Sequence, residues 1–132
     1  MKKWPILVAQ YLLGIIFLFN GLNFFFQFAP LLTPDKSELA QRFLMVLDDA
    51  GYFYPIITGV TVLTALSLLT NRFLPLFLII KFPLTINGIL FHIRMDPVMT
   101  PVAVAVGLLH FYLIYVNREK YFPMLSNGVR RL

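Results

Sequence analysis

Residues 73–96 read FLPLFLIIKFPLTINGILFHIRMD. The run is long enough to cross a bilayer as one helix, yet it holds Lys81, Thr85, Asn87 and His92 among apolar neighbours. At about 100° per residue, Lys81, Thr85, Gly88 and His92 fall on one helical face, at i, i+4, i+7 and i+11. A lysine at the centre of a membrane helix costs roughly 2.5–3.5 kcal/mol on insertion scales, so it needs a physical reason to be there. Pro83 withholds a backbone N–H, frees the carbonyl of Ile79 and predicts a kink beside Lys81.

The rest of the chain agrees with a membrane setting. Of its 132 residues 59% are hydrophobic and only 13% charged, about half the usual ~25% of soluble domains. A soluble domain this small could not cover so much apolar surface. The formal charge of +5 would suit nucleic acid, but the basic residues sit at segment ends instead of on one face, which is the pattern of membrane topology. With no cysteine, thiol chemistry, iron–sulfur clusters and thiolate zinc sites are excluded. The amino terminus, MKKWPILVAQYLLGIIFLF, has too long an apolar run for a secretory signal and no small-x-small cleavage site, so it reads as an uncleaved first span.

The pattern predicts an all-α, polytopic single domain over residues 1–132, a four-transmembrane-helix bundle with spans at about 6–28, 54–69, 73–93 and 101–116. In span one, Gln10, Gly14 and Gly21 share a face that admits another helix, and Asn20, Asn23 and Gln27 form a polar stripe. Between spans one and two, Thr33 and Pro34 open and Gly51 ends an amphipathic helix over about 34–50, with Leu39, Phe43, Val46, Leu47 and Ala50 as its apolar face. It would lie on the membrane or fold over the bundle mouth. Span two offers Thr58, Thr61 and Ala65 as a packing edge, with Gly59, Thr64 and Ser67 on other faces. Asn71 and Arg72 make a tight turn, and Pro97 and Pro101 bracket the next. In span four, Ala103, Gly107, His110, Ile114 and Asn117 share a face, with His110 near mid-membrane. Residues 117–132 read as a basic tail.

Four spans put both termini on one side, together with Lys2, Lys3, Arg72, Arg118, Lys120, Arg130 and Arg131. Lys36, Arg42 and Arg94 lie opposite. The bias predicts both termini in the cytoplasm. An outer mouth would then gather Asp48, Asp49 and Asp96 near His92.

LGIIFLFNGLNFFF in span one, LSLLTNRFLPL across the second turn, PLTINGILFHIRMDP ending span three and HFYLIYVNREKYFPML at the end make the chain resemble the DoxX and DoxX-like family of small four-span membrane proteins over nearly its whole length. The resemblance implies a four-helix bundle in a bacterial cell membrane. Some family members are linked to quinone-dependent sulfur oxidation, others to membrane oxidoreductase complexes, and a distant animal relative is a receptor-assembly chaperone. Many carry an acidic residue in span two about where Thr61 stands here, and Lys81 is unusual for the family.

Antiparallel counting from Pro97 separates His92 and His110 by about 12 Å of depth, which speaks against one haem or metal between them. It also places His110 level with residue 84, about one turn from Lys81. No acid lies within a span, and no phosphate-binding glycine loop or nucleophile constellation is present, so an independent enzyme is not expected. Three classes of function follow. The first is an accessory or assembly subunit docked to other membrane subunits or to copies of itself. The second is a quinone- or lipid-binding component of an oxidoreductase system, with Lys81, Asn87 or His92 polarising a quinone carbonyl. The third is a small transporter or channel.

Overall fold

The computed structural model describes residues 3–26, 37–95 and 97–125. Five α-helices follow one another: α1 (Lys3–Phe26), α2 (Glu38–Ala50), α3 (Phe53–Thr70), α4 (Leu74–Met95) and α5 (Thr100–Val116). A 3-10 turn, Pro97–Met99, leads into α5, and two more, Arg118–Lys120 and Phe122–Leu125, follow it. Among the described residues four helical segments are long and apolar enough to cross a membrane: Lys3–Asn23, Phe53–Thr70, Leu74–Met95 and Pro97–Val116. The chain is therefore a multi-pass membrane protein. Its outward faces show the same thing, since Ile15, Leu63, Leu76, Leu90 and Leu108 are exposed on four different helices, as lipid-facing side chains are.

Along the chain, α1 packs on α3, α3 on α4, α4 on α5, and α5 back on α1. One leucine from each of these helices is fully buried: Leu13, Leu68, Leu78 and Leu113. Ala9, Phe17, Ala65 and Leu74 complete that core. The face of Gln10, Gly14 and Gly21 does receive a helix, and it is α3. A Cβ on Gly14 would lie 3.0 Å from Leu69 Cδ2 and 3.1 Å from Leu68 Cβ, and one on Gly21 would lie 2.6 Å from Val62 Cγ2. Absence of a side chain is what lets the two backbones come this close.

Because α3 packs between α1 and α4, its buried surface is wider than one edge. Thr58, Thr61 and Ala65 are buried as expected, and so are Thr64 and Ser67, which periodicity had placed on other faces. Their hydroxyls are satisfied locally: Thr61 and Thr64 donate to the carbonyls of Ile57 and Val60 at 2.8 and 2.7 Å, and Ser67 to that of Arg72 at 2.5 Å. Asn71 ends α3 in the left-handed conformation at φ 57°, and Phe73 follows at φ 53°, a strained setting for an aromatic residue.

The first-helix connection holds another departure. Thr33 and Pro34 lie outside the described residues. Ser37 caps α2, accepting from the Ala40 N–H at 3.2 Å, and Gly51 closes it at φ 83°. Ala40, Phe43, Leu44 and Leu47 turn inward, whereas Leu39, Val46 and Ala50 are exposed, so the buried face is rotated from the expected one. The helix is held to α3 and α4 by Tyr54 donating to the Leu44 carbonyl (3.2 Å), by Ser37 donating to that of Met95 (2.5 Å) and by Phe43 against Phe91 (5.7 Å). Residues 118–125 are likewise not a free tail. Tyr121 is buried and its hydroxyl donates to the Pro75 carbonyl at 2.6 Å, fastening the chain after α5 to the start of α4.

Candidate functional site between α4 and α5

Lys81, Thr85 and His110 are brought together, all three buried. His110 Nε2 lies 2.7 Å from the Leu78 carbonyl oxygen, and Nδ1 lies 2.9 Å from Thr85 Oγ1. A carbonyl only accepts, so the proton sits on Nε2, and in the neutral ring Nδ1 accepts from the threonine hydroxyl. Both ring nitrogens thus bind α4. Phe17 and Phe82 present edges to the ring, with centroids at 6.0 and 5.6 Å and interplanar angles of 71° and 83°. Antiparallel counting places His110 level with residue 84, and its ring bonds α4 at Leu78 and Thr85.

The helix breaks its own pattern just here. Pro83 has no N–H for the Ile79 carbonyl, and His110 reaches the adjacent carbonyl, that of Leu78. Lys81 does not take the freed Ile79 oxygen. Its ammonium instead stands 5.1 Å from the centroid of the Phe17 ring. Phe17 lies fourteen residues, roughly 21 Å by helical rise, beyond Lys3, so this charge is deep in the span. Among the described residues no carboxylate or hydrogen-bond acceptor is bonded to it. The negative face of an aromatic ring offers a buried cation up to about 2 kcal/mol, less than a carboxylate offers.

Other predicted residues lie apart from this centre. His92, seven residues beyond Thr85 and so about 10 Å further along α4, is half-buried with its ring edge-on to Phe91. Asn23 is buried, while Asn20 and Asn87 are exposed. Asp48 and Asp49 are exposed on α2. Gln27 and Asp96 lie outside the described residues. Among the described residues no three histidines and carboxylates gather in a way that could hold a metal ion.

Phe17 was not singled out from sequence, and Gln10 was singled out only for packing. Phe17 touches both His110 and Lys81, and it shares a helical face with Gln10, Gly14 and Gly21, which is the signal that could have found it. Gln10, expected only to line a helix contact, braces the α3–α4 turn: its Nε2 donates to the Leu68 carbonyl at 2.8 Å and to Asn71 Oδ1 at 3.3 Å.

Chemically, His110 can act as a base or ligand only by giving up one of two interhelical hydrogen bonds. Lys81 has a donor to offer. Comparison with protein-family models, with curated proteins and with solved structures finds no match to this chain.

Proposed function

We propose that the chain is an integral membrane accessory or assembly subunit, a DoxX-like four-helix bundle whose partners are other membrane subunits. The observation that carries this is the use made of its intramembrane polar groups. His110 spends both nitrogens on α4, Gln10 spends its amide on the α3–α4 turn, and the α3 hydroxyls bond carbonyls of their own segment. Such groups hold a framework rigid and leave little for turnover. The basic bias supports both termini in the cytoplasm and the resemblance a bacterial cell; Leu39 and Val46, exposed on α2, support that helix lying at the outer surface of the membrane.

The test is purification of the tagged chain from its native membrane with mass spectrometry of proteins and lipids, paired with deletion of its gene. A stoichiometric partner whose assembly falls on deletion is the expected result. A particle containing this chain alone, with partner complexes assembling normally without it, overturns the reading.

A second reading, a quinone-binding component of an oxidoreductase system, is favoured by one observation: Lys81 is a buried donor beside an aromatic face. A quinone carbonyl would take the ammonium hydrogen bond while the ring stacks. Quinone recovered at one per chain, and lost in Lys81→Met, would select this reading over the first.

A further inference from the structure

Where α1 begins and α5 ends, the structure forms an open cavity of about 240 Å³. Its polar lining comes from three places: Lys3 and Gln10 on α1, Asn71 at the α3–α4 turn, and Asn117 and Lys120 after α5. Among the described residues no acidic side chain lines it. Ile6, Leu7, Leu74 and Val116, from the outermost turns of the spans, supply the apolar part of the lining, with Gln10 its deepest residue on α1.

We propose that this cavity binds the phosphodiester head of an anionic membrane lipid. Charge argues for an anion, since two ammonium groups face the space and Arg72 and Arg118 adjoin it in sequence. The amides argue for a built site. Gln10 is only 5% exposed, and its hydrogen bond to Asn71 Oδ1 occupies the oxygen of that side chain, which leaves the Asn71 amide hydrogens to donate. Asn117 is fixed by its bond to the Leu113 carbonyl at 2.8 Å and keeps a second N–H. Depth argues for a lipid over a free anion. The lysines lie at span ends, where headgroups lie, and Leu7, an exposed apolar side chain of the lining, offers an acyl chain a surface beside them. The site rests on the membrane-spanning placement of the helices and not on the accessory role, so it stands or falls separately from that role.

The experiment uses the full chain in detergent, with native mass spectrometry and thermal melting against added phosphatidylglycerol, phosphatidylcholine or inorganic phosphate. Phosphatidylglycerol should be retained and should raise Tm where phosphatidylcholine does not. Lys3→Gln with Lys120→Gln should weaken that lipid roughly 30-fold, the effect expected of two juxtamembrane cations. Arg94→Gln, one exposed cation at the opposite end, should change it by less than about threefold and serves as the charge control. Because both lysines are exposed, the double variant should melt like wild type without lipid, which separates lost binding from lost folding. Inorganic phosphate giving the same Tm rise would assign the cavity to a free anion and overturn the lipid. Equal losses in Arg94→Gln and the double variant would show diffuse charge alone and overturn the site.

Discussion

His110 on α5 and Thr85 on α4 are joined side chain to side chain, Nδ1 to Oγ1 at 2.9 Å, in the middle of two antiparallel spans. The opposite edge of the same ring donates to the Leu78 carbonyl, so one imidazole clamps two turns of α4. Interhelical hydrogen bonds in membranes average about 0.6 kcal/mol, with a maximum near 1.7. Replacing His110 by Leu should therefore cost about 1–3 kcal/mol, and Thr85→Val about 1 kcal/mol. The double variant should lose less than the sum by about 0.6–1.7 kcal/mol, measured by unfolding in detergent. Full additivity would show that the two side chains do not act on one another.

The α1–α3 contact makes a contrasting pair of glycine predictions. A methyl group on Gly21 would press on Val62, whose branched side chain has one favoured rotamer in a helix and cannot swing away cheaply. Gly21→Ala should cost about 1–3 kcal/mol, the range for overpacking. Gly59 has nothing within 4 Å of the same position, so Gly59→Ala should gain about 0.5–1 kcal/mol from helix propensity. Melting both variants in one detergent checks the difference, and Gly21→Ala as stable as wild type would mean the helices are further apart.

Much of this architecture was legible because hydropathy marks spans directly. The expected bounds 54–69, 73–93 and 101–116 differ from α3, α4 and α5 by at most two residues at any end. Depth was legible too, because rise per residue is fixed: counting from Pro97 placed His110 level with residue 84, and the ring bonds Thr85 Oγ1. Rotation about each helix axis was less so. A span apolar all round has little moment to orient it, so periodicity could put Phe17 on the face of Gln10, Gly14 and Gly21 but not against His110, and could not say that Thr64 and Ser67 are buried. The fold of 118–125 was hidden for another reason. Its anchor, Tyr121 to the Pro75 carbonyl, joins residues 46 apart in sequence, and no local pattern announces such a bond.

That anchor has a pH signature. Tyr121 lies beyond the spans, and burial raises its pKa above the ordinary 10. A phenol whose folded-state pKa is raised contributes stability that is present below the unfolded pKa and lost as pH rises through the folded one. Tyr121→Phe should cost about 1 kcal/mol at pH 7 through the lost hydrogen bond. The gap between the two proteins should narrow above pH 10, as wild type loses a term the variant never had. A gap constant with pH would show that burial does not raise the Tyr121 pKa, and no gap at pH 7 would show that the hydroxyl contributes nothing.

Topology is testable because the chain contains no cysteine. Asp49→Cys on α2 and Met124→Cys after α5 are both at exposed positions. In intact cells an impermeant maleimide should label residue 49 and reach residue 124 only after lysis. Labelling of both from one side would mean an even number of crossings between them, not the three that α3, α4 and α5 supply.

Lys81 decides between a tolerated charge and a used one. Removing it with Lys81→Met keeps the bulk and deletes the ammonium. Two terms then compete. The variant forfeits the Phe17 contact, worth up to about 2 kcal/mol, and escapes the insertion cost of roughly 2.5–3.5 kcal/mol. The balance favours methionine by about 1 kcal/mol, so the variant should melt at or above wild type in detergent. A loss of stability instead would mean that the ammonium has a stabilising partner within the chain beyond the ring. With stability held, function is read from what copurifies. If the lysine serves a partner carboxylate or a quinone oxygen, the variant should lose that component at least tenfold while keeping its fold. An unchanged set of copurifying proteins, lipids and quinones would show that the protein carries Lys81 without using it.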